Sequence, residues 1–417
     1  MQKQPNIVLI FSDQHRADAL GCAGSAFVQT PNLDRLAAEG VRFDRAYTPW
    51  PVCTPARASM WTGVYPSTHK IIDNVYGIDN AFASVGEVKT TVFDQLKAGG
   101  YKTAHFGKWH LGEAQPPFFD VWEESFNSRC GHWIDGKLDG VYRPTVQTDA
   151  SIQFLEAEAS AGNNQPFVMV QSYYPPHDPF TAPARFYEPY RHRGVPFAGY
   201  YAAVSALDHE IGRILDTLDR TRLRRDTLVI YYSDHGETFL YRAEGEHKFV
   251  CHEESIRVPM IASWPGTAPA GAVRSQIVGL QDLAPTMLAA AGLQTEGPCH
   301  GASLLPMIKG AFVPDWRQGH YVQNITHISA IAQRAWVQDG WKLIVSNTGA
   351  HELYNLNADP EEELNIFDVP RPDPGFDRYK HYEAQTETID ALRTSALALA
   401  EQIEDSEGVA LLSAPMH

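Results

Sequence analysis

Two aspartates in this sequence follow apolar runs typical of buried strands. Asp13 lies in Ser12-Asp13-Gln14 after the run 6–11, and Asp234 lies in Ser233-Asp234-His235-Gly236 after the run 227–232. In open α/β sheets, ligands gather outside the carboxyl ends of strands, so two carboxylates at such ends can share one cation. A single aspartate after a strand is more often a turn residue or a helix cap. The repeated context, with His235 beside the second aspartate, favours a metal site.

The segment Cys53-Thr54-Pro55-Ala56-Arg57 places a cysteine in front of a predicted helix. Thr54 is a suitable helix cap and Pro55 suits the first turn, so we expect Cys53 at a helix N-terminus. The helix dipole and free amides favour negative charge there, and Arg57 adds a positive charge one turn later. An anionic nucleophile or a transferred anionic group would be stabilised at this position. The alternative is a buried core cysteine, the usual place of an unpaired cysteine.

Three further segments combine cations with imidazoles. Lys108 and His110, in Gly-Lys-Trp-His-Leu-Gly, are two residues apart and would face the same side of an extended chain. A cation beside a proton-transfer group suits an anionic ester substrate. The proline-rich loop 174–180 would hold His177 rigidly, and Lys248 is a candidate second anion ligand. Taken singly, each could equally be a surface charge or a structural histidine in a turn.

The elements around these motifs predict an α/β fold, with a mostly parallel central sheet flanked by helices, because apolar strands alternate with helices. Strands are predicted at Asn6–Ser12, Tyr101–Phe106, Phe167–Tyr173, Thr227–Tyr232 and Val258–Ser263. Helices are predicted at Asn32–Glu39, Ala150–Ser160, Tyr200–Leu218 and Leu283–Ala291.

After about Pro306 the pattern changes to short strands joined by turns, which predicts a small antiparallel sheet. Its strands are expected at Ser329–Val337, Lys342–Ser346 and His351–Tyr354, and a final helix at Thr386–Ile403 closes the chain. We therefore expect a catalytic α/β domain over residues 1–305 and a C-terminal subdomain, with the small sheet and the terminal helix, over residues 306–417.

Bulk properties narrow the classes of function and partner. The chain has 417 residues, of which 44% are apolar and 20% charged, and its net charge is −16. Such an acidic chain argues against a nucleic-acid or membrane partner. The five cysteines are scattered without a CxxC pair, which fits a reducing compartment. The apolar run 7–11 is too short for a signal core, so we expect a cytoplasmic location, or a periplasmic one if a leader was removed.

Taken in order, these motifs resemble the formylglycine-dependent sulfatases of the alkaline phosphatase superfamily. The resemblance spans nearly the whole chain, from Asn-Ile-Val-Leu-Ile at 6–10 to Glu-Leu-Tyr-Asn-Leu at 352–356 and Asp359-Pro360. A Cys-x-Pro-x-Arg motif alone would be weak evidence. Its occurrence in order with Gly-Lys-Trp-His-Leu-Gly and Ser-Asp-His-Gly-Glu makes chance a poor explanation. The resemblance implies an alkaline phosphatase-like fold and hydrolysis of a sulfate monoester.

The resemblance also implies roles for individual residues. Cys53 would be oxidised to formylglycine, one hydroxyl of its hydrate would attack sulfur, and His177 would protonate the leaving alcohol. His110 would take a proton from the second hydroxyl, which expels the sulfate by elimination. The sulfate and hydrate would be held by Lys108, Lys248 and Arg57, with Asn74 contacting the sulfate. The metal ligands would be Asp13, Gln14, Cys53, Asp234 and His235.

Two positions depart from the pattern of many sulfatases. Gln14 stands where a second acid is common, and His235 stands where asparagine is common. Both resemble a subgroup that includes choline sulfatases and phosphonate monoester hydrolases. Calcium comes first as the metal, with manganese or magnesium as second choices.

Three competing interpretations of function stay open at this point. A phosphonate or phosphate ester hydrolase on the same scaffold is the runner-up, which the pair Lys108 and His110 disfavours. A non-catalytic protein that binds sulfated ligands is a different class of function, and the presence of Arg57 and His110 argues against it. A hydrolase that uses the Cys53 thiolate with His110 is disfavoured because no orienting asparagine or aspartate can be identified from the sequence.

For the substrate, the family frequency favours a carbohydrate or small organic sulfate. Aromatic side chains could stack on a sugar ring or could equally belong to the core: Trp50, Tyr76, Trp133 and Tyr241. Arg242 and the loop Tyr241–Glu246 could belong to a specificity loop. The expected protein partner is a formylglycine-generating enzyme or an anaerobic sulfatase-maturating enzyme.

Overall fold

The computed structural model describes residues 4–128, 130–162, 164–191, 193–239, 247–326, 330–367 and 385–416. In these residues the strands are β1 (Asn6–Asp13), β2 (Val41–Tyr47), β3 (Lys102–Lys108), β4 (Val121–Phe126), β5 (Phe167–Pro176), β6 (Thr227–Ser233), β7 (Arg257–Val258), β8 (Met260–Ser263), β9 (Ala272–Gly279), β10 (Gly319–Ile325), β11 (Ala332–Gln338), β12 (Trp341–Ser346) and β13 (Glu352–Asn355).

The helices of the same residues are α1 (Pro31–Ala38), α2 (Cys53–Thr62), α3 (Pro66–His69), α4 (Ala81–Ser84), α5 (Val92–Ala98), α6 (Arg143–Ser160), α7 (Ala198–Arg220), α8 (Glu253–Ile256), α9 (Leu283–Ala290), α10 (Leu305–Ile308), α11 (Thr386–Gln402) and α12 (Ser406–Ser413). Within the described part of the chain, no helix has both the length and the apolar character that crossing a bilayer requires.

The larger sheet has nine strands in the order β4-β3-β5-β1-β6-β8-β2-β7, with β9 paired to β2. Strands β4, β3, β5, β1 and β6 run parallel, whereas β8 is antiparallel to both of its neighbours. The predicted α/β fold with a mostly parallel sheet is confirmed. Because β1, β3, β5 and β6 are parallel, the residues that follow them emerge at one edge of the sheet.

Both faces of the larger sheet are covered, which explains why its central strands are buried throughout and mostly apolar. Along β1, Ile7, Leu9 and Phe11 pack into one core, while Val8 and Ile10 pack into the core on the opposite face. The first core also contains α2, α5 and α9, and the second contains α1 and α7. This double covering fixes the strand ends against rigid layers on both sides.

The smaller sheet has four antiparallel strands in the order β10-β11-β12-β13. One face, including Leu343 and Val345, packs under α11 and α12. The opposite face, including Val337 and Ile344, packs against Tyr47 and the segment around Cys251 of the larger unit. The predicted antiparallel C-terminal sheet is therefore confirmed, and its inner face contacts the chain just after Lys248.

Several predicted bounds differ from the structure for local reasons. The strand expected at 258–263 is divided at Pro259, which has no amide hydrogen for a ladder. α6 begins earlier, at Arg143, with Pro144 in its first turn. The small sheet has a fourth strand, β10, and α12 follows the helix expected to be last. The first residue of the strand predicted at 329–337 lies outside the described residues, and the division at 305/306 stays a prediction.

Candidate active site

Four parallel strands bring chemically active side chains to one edge of the larger sheet. β1 ends at Asp13 and β3 ends at Lys108, while Asp234 and His235 follow β6. His177 follows β5. These five side chains are all buried, with at most 2% of their surface exposed. The motifs at the strand ends thus form one enclosed cluster.

The first residue of α2 completes this cluster. Cys53 Sγ lies 3.6 Å from Asp13 Oδ1 and 3.2 Å from His235 Nε2. Burial raises the pKa of the Cys53 thiol, but Lys108, Lys248 and His235 lower it more, and the pKa falls well below its usual range. Negative charge on the side chain at position 53 is therefore stabilised.

The capping of α2 differs from the sequence prediction. Thr54 is not the cap: the N-cap is Val52, whose side chain makes no capping hydrogen bond. The Thr54 hydroxyl instead donates to His110 O at 2.9 Å, and its backbone N–H donates to Asn74 Oδ1 at 3.2 Å. Asn74, which the resemblance assigns to the sulfate, therefore lies at the helix N-terminus and accepts from one of its free amides.

The donor atoms of four side chains suit a divalent cation. One ligand atom from each of Asp13, Cys53, Asp234 and His235 lies within 4.8 Å of the others. His235 Nδ1 donates to Gly236 O at 2.9 Å, so the lone pair of the neutral ring is on Nε2, which faces the cluster.

The two carboxylates of this cluster differ in acidity. Burial and Cys53 raise the pKa of Asp13, but Lys108, His177 and Lys248 outweigh them, and its pKa lies below the usual range. Burial and the neighbouring Asp13 raise the pKa of Asp234, against the opposing effect of His235 and Arg57. Crowded carboxylates of this kind are stabilised by a shared cation.

Arg57 is fully buried beneath the two carboxylates. Its Nε donates to Asp234 Oδ2 at 2.9 Å and its Nη2 to Asp13 Oδ2 at 3.1 Å, while its Nη1 donates to Lys108 O at 2.6 Å and Ser172 Oγ at 3.1 Å. Burial lowers its pKa, but Asp234 and Asp13 raise it more. Arg57 is thus held by Lys108 O and Ser172 Oγ, and it orients both carboxylates.

Two lysines near Cys53 differ in their bonding. Lys108 Nζ pairs with Asp13 Oδ2 at 2.5 Å and lies 4.9 Å from the centroid of the Tyr174 ring. Lys248 forms no ion pair with any described carboxylate. Its Nζ contacts Gln14 Oε1 at 2.8 Å, His177 Nε2 at 3.1 Å, His235 Nε2 at 3.3 Å and Cys53 Sγ at 3.4 Å.

The loop after β5 orients His177. Its Nδ1 lies 2.8 Å from Asp178 Oδ1, and its ring stacks on Tyr174 with the centroids 4.7 Å apart. Nε2 of His177 lies 3.1 Å from Lys248 Nζ, which can only donate, so Nε2 is the acceptor when the ring is neutral. His177 and Lys248 lower the pKa of Asp178, so this carboxylate stays ionised and holds the proton on Nδ1.

His110 reaches the cluster in a different way from the one expected. β3 ends at Lys108, and His110 has a φ of 58°, so the two residues are not successive positions on one face of a strand. Burial and Lys108 lower the pKa of His110 to about 4, against the opposing effect of the adjacent Cys53. Neither ring nitrogen has a well-formed hydrogen bond to any described residue.

The aromatic side chains considered for stacking on a sugar ring lie in different environments. Trp50 is buried, and Trp133 packs against Tyr142 and donates to Thr181 Oγ1. Tyr76 is 56% exposed, and its ring centroid lies 5.6 Å from that of His110. Tyr241, Arg242 and the loop 241–246 lie outside the described residues.

Comparison with known families decides the relationship of the chain. The family model named Sulfatase matches residues 5–293, which is more than half of the chain and includes every residue of the cluster. The chain belongs to the sulfatase family. It is a sulfuric ester hydrolase with an alkaline phosphatase-type fold. A second family model, the C-terminal region of N-sulphoglucosamine sulphohydrolase, matches residues 245–381.

Individual relatives of this sulfatase cover most of its length. It is 30% identical to an ulvan-active sulfatase of Formosa agariphila, over 88% of this chain and 78% of the relative. It is 27% identical to an N-acetylglucosamine-6-O-sulfatase of Bacteroides thetaiotaomicron, over 88% and 83% of the two chains. A structure solved with its substrate D-glucosamine-2-N,6-O-disulfate is 24% identical, with a TM-score of 0.82 over 97% of this chain and 99% of that one.

Sequence reasoning missed two residues that complete the sulfatase cluster. Asp178 binds the ring of His177, and Glu237 accepts a hydrogen bond from Gln14 Nε2 and one from His247 Nδ1. Asp178 directly follows His177, and Glu237 stands two positions after His235. Their positions beside proposed site residues were the available signal, but a carboxylate in a loop does not reveal its partner.

Proposed function

We propose that this sulfatase hydrolyses a sulfate monoester of a carbohydrate, with a formylglycine at position 53 and a divalent cation at the strand-end cluster. The observation that supports this most is the position of Cys53 at the start of α2, where its Sγ contacts Asp13, His235 and Lys248. A maturing enzyme that oxidises Cys53 is a required partner of this proposal.

The residues that would hold the cation are Asp13, Gln14, Asp234, His235 and the side chain at position 53. Carboxylate and amide oxygens outnumber the single imidazole, so Ca²⁺ comes first, with Mn²⁺ or Mg²⁺ as second choices. When bound, such a cation supplies charge neutralisation at the nucleophile and the sulfuryl oxygens. Arg57 fits this role as an orienting residue, because it holds one oxygen of each carboxylate and leaves Oδ1 of both turned to the cluster.

The sulfate group would lie between the two lysines. Lys248 has no carboxylate partner among the described residues, so an anionic oxygen can replace its contacts with neutral acceptors. Lys108 neutralises Asp13 and lies beside Tyr174. Fixed cations in an enclosed site stabilise charge that grows on the transferring group. Asn74 would contact the sulfate through its Nδ2 donor, because its Oδ1 accepts from the Thr54 amide.

Two histidines would move protons in the two halves of the reaction. His177 would protonate the leaving alcohol from Nε2, since Asp178 holds its other nitrogen and stabilises the charged ring. His110 would accept a proton from the second hydroxyl of the hydrated formylglycine. Its pKa of about 4 keeps the ring neutral and able to accept at neutral pH.

A carbohydrate substrate is proposed on two grounds. Relatives named for ulvan and for N-acetylglucosamine-6-O-sulfate resemble this chain along most of its length. The exposed ring of Tyr76 beside His110 offers a surface on which a sugar ring can stack.

The proposal is tested with wild-type protein and Cys53→Ala, both produced together with a formylglycine-generating enzyme. Release of inorganic sulfate is measured from an aryl sulfate and from sulfated monosaccharides, with and without a chelator. We expect wild-type protein to release sulfate in a chelator-sensitive way and Cys53→Ala to be inactive. Equal rates for the two proteins would refute the role of position 53, and rates unaffected by chelation and metal replacement would refute the cation.

A further inference from the structure

A buried carboxylate behind the cluster has no place in the chemistry described so far. Glu237 is fully buried, two residues after His235. It accepts three hydrogen bonds: a short one from Gln14 Nε2, one from the Phe239 amide at 2.5 Å and one from His247 Nδ1 at 2.9 Å. Unlike Lys248 and His235, Glu237 does not contact Cys53.

Every polar group of Gln14 has a partner in turn. Its Oε1 accepts from Lys248 Nζ at 2.8 Å, its N–H donates to Asp234 Oδ1 at 3.2 Å and its carbonyl accepts from the Tyr200 hydroxyl at 3.0 Å. An ammonium group has no lone pair to accept from Nε2, and a carboxylate has no proton to donate to Oε1. The chemistry of Lys248 and Glu237 therefore fixes which end of the amide is oxygen.

We propose that Glu237 is a positioning residue that keeps the amide oxygen of Gln14 directed at the divalent cation. The inference rests on the proposed function, which places Gln14 among the ligands. If the amide turned over, its N–H donors would point at a cation and bind it less well. Glu237 also contributes a negative charge that reaches the cluster through Gln14, without direct contact with Asp13 or Asp234.

The first test replaces Glu237 with glutamine, which has the same shape but can donate as well as accept. The turned-over amide of Gln14 then finds a hydrogen-bond donor at position 237, so only Lys248 still opposes that orientation. We expect the affinity for the probe ions Ca²⁺ and Mn²⁺ to fall by about 10- to 100-fold, the usual effect of losing a partner of a ligand. The affinity is measured by calorimetric titration of full-length protein that has been freed of metal with a chelator.

The second test exchanges the two side chains. Gln14→Glu alone brings two buried carboxylates into contact, and we expect it to lower both the Tm and the affinity for the ions. Gln14→Glu combined with Glu237→Gln restores one donor opposite one carboxylate. We expect the double variant to regain about 10-fold of the affinity that the single change loses, since the pair is coupled.

Asp405→Asn is the matched control, because Gln323 Nε2 donates to Asp405 Oδ2 at 2.7 Å in an equivalent buried pair outside the cluster. It should lower the Tm and leave the ion affinities unchanged. Wild-type affinity in Glu237→Gln, or a double variant no better than Gln14→Glu, overturns the inference. If wild-type protein and Asp13→Ala give the same empty titrations, the proposed cation site itself fails, and the inference fails with it.

Discussion

Two lysines of this sulfatase are both buried, yet their surroundings differ. Lys342 on β12 lies between Glu253 Oε1 at 3.0 Å and Glu362 Oε1 at 2.5 Å, and it donates to Cys251 O at 3.1 Å. Lys248 has an amide oxygen, two imidazoles and a thiol as its nearest partners. Lys342 is thus neutralised by two carboxylates of the chain, whereas Lys248 has no ion-pair partner among the described residues, as its proposed role in binding sulfate requires.

The pKa values of the two lysines are raised by different kinds of neighbour. Burial alone would lower the pKa of Lys342, but Glu253 and Glu362 raise it, so that its charge is matched by two neighbouring carboxylates. Burial would also lower the pKa of Lys248, and Cys53, Asp13 and Asp234 raise it without forming an ion pair with it. A buried lysine without an ion-pair partner indicates a functional site. A buried lysine that two carboxylates neutralise indicates a role in the stability of the fold.

The largest effect is expected from breaking the structural lysine. Lys342→Met leaves Glu253 and Glu362 buried without their cation, and we expect the free energy of unfolding to fall by about 3–5 kcal/mol. Urea unfolding of the full chain measures it. Adding Glu253→Gln and Glu362→Gln to the same variant should restore much of the loss. An unchanged unfolding free energy in the single variant would show that the paired lysine does not stabilise the fold.

Lys248→Met should have the opposite character. We expect kcat/KM for a sulfate ester to fall by about 10²–10³-fold, because a fixed cation at the transferring group is lost. The free energy of unfolding should fall by less than in Lys342→Met, since no carboxylate loses an ion-pair partner. Sulfate release and urea unfolding of the same preparation measure both quantities. A stability loss equal to that of Lys342→Met would remove the distinction between the lysines.

The proposed role of His177, which contacts Lys248, can be tested separately from that of the lysine. His177→Ala should slow alkyl sulfates by about 10²-fold or more, because general acid catalysis is lost. Aryl sulfates, whose leaving groups need no proton, should be slowed much less. The measurement is the ratio of kcat values for an alkyl and an aryl sulfate in the variant and in wild-type protein. Equal losses on both substrates would contradict the role as leaving-group acid.

The smallest effect concerns Asp405, a buried carboxylate of the C-terminal region that Arg334 pairs with at 2.6 Å. Burial raises its pKa, but hydrogen bonds and the charge of Arg334 lower it to about 2. A carboxyl whose pKa is lower in the folded state stabilises the fold above its unfolded pKa of about 3.9, and this contribution disappears as the pH falls through about 2.

Asp405→Asn should therefore cost about 2 kcal/mol of unfolding free energy at neutral pH, and its difference from wild-type protein should vanish near pH 2. Unfolding curves over the acidic range measure the difference. A constant difference down to pH 2 would show that titration of Asp405 contributes nothing. The kcat of the variant at neutral pH should stay at the wild-type value, because no proposed site residue contacts Asp405.

The parts of the fold that the sequence predicts are those buried on both faces. β1, β5 and β6 are buried along their whole length and mostly apolar, because helices cover both sides of the sheet. β4 was missed because it is an edge strand whose residues are largely half-exposed or exposed, so Glu123 and Glu124 interrupt its pattern. β10 was missed since its buried residues include His320, Gln323 and Asn324, which are polar and bonded through distant partners.

The same reasoning explains what could be predicted of the site. The motifs at the strand ends were visible because the end of a parallel strand fixes a direction, so Asp13, Lys108 and Asp234 had to approach one another. The helix cap was predicted wrongly because the Thr54 hydroxyl finds its partner in the tertiary fold: it donates to His110 O, while Asn74 accepts from the Thr54 N–H. Glu237 was not predictable because its partner, Gln14, is 223 residues away in sequence.

The chemical state of residue 53 in an active preparation tests the proposed mechanism most directly. Protein produced with a formylglycine-generating enzyme is digested, and the peptide across residue 53 is analysed by mass spectrometry before and after reaction with an aldehyde-specific probe. We predict an aldehyde at residue 53, in a fraction of molecules that rises in proportion to the rate of sulfate release. An intact Cys53 thiol throughout a preparation that hydrolyses sulfate esters would contradict the mechanism.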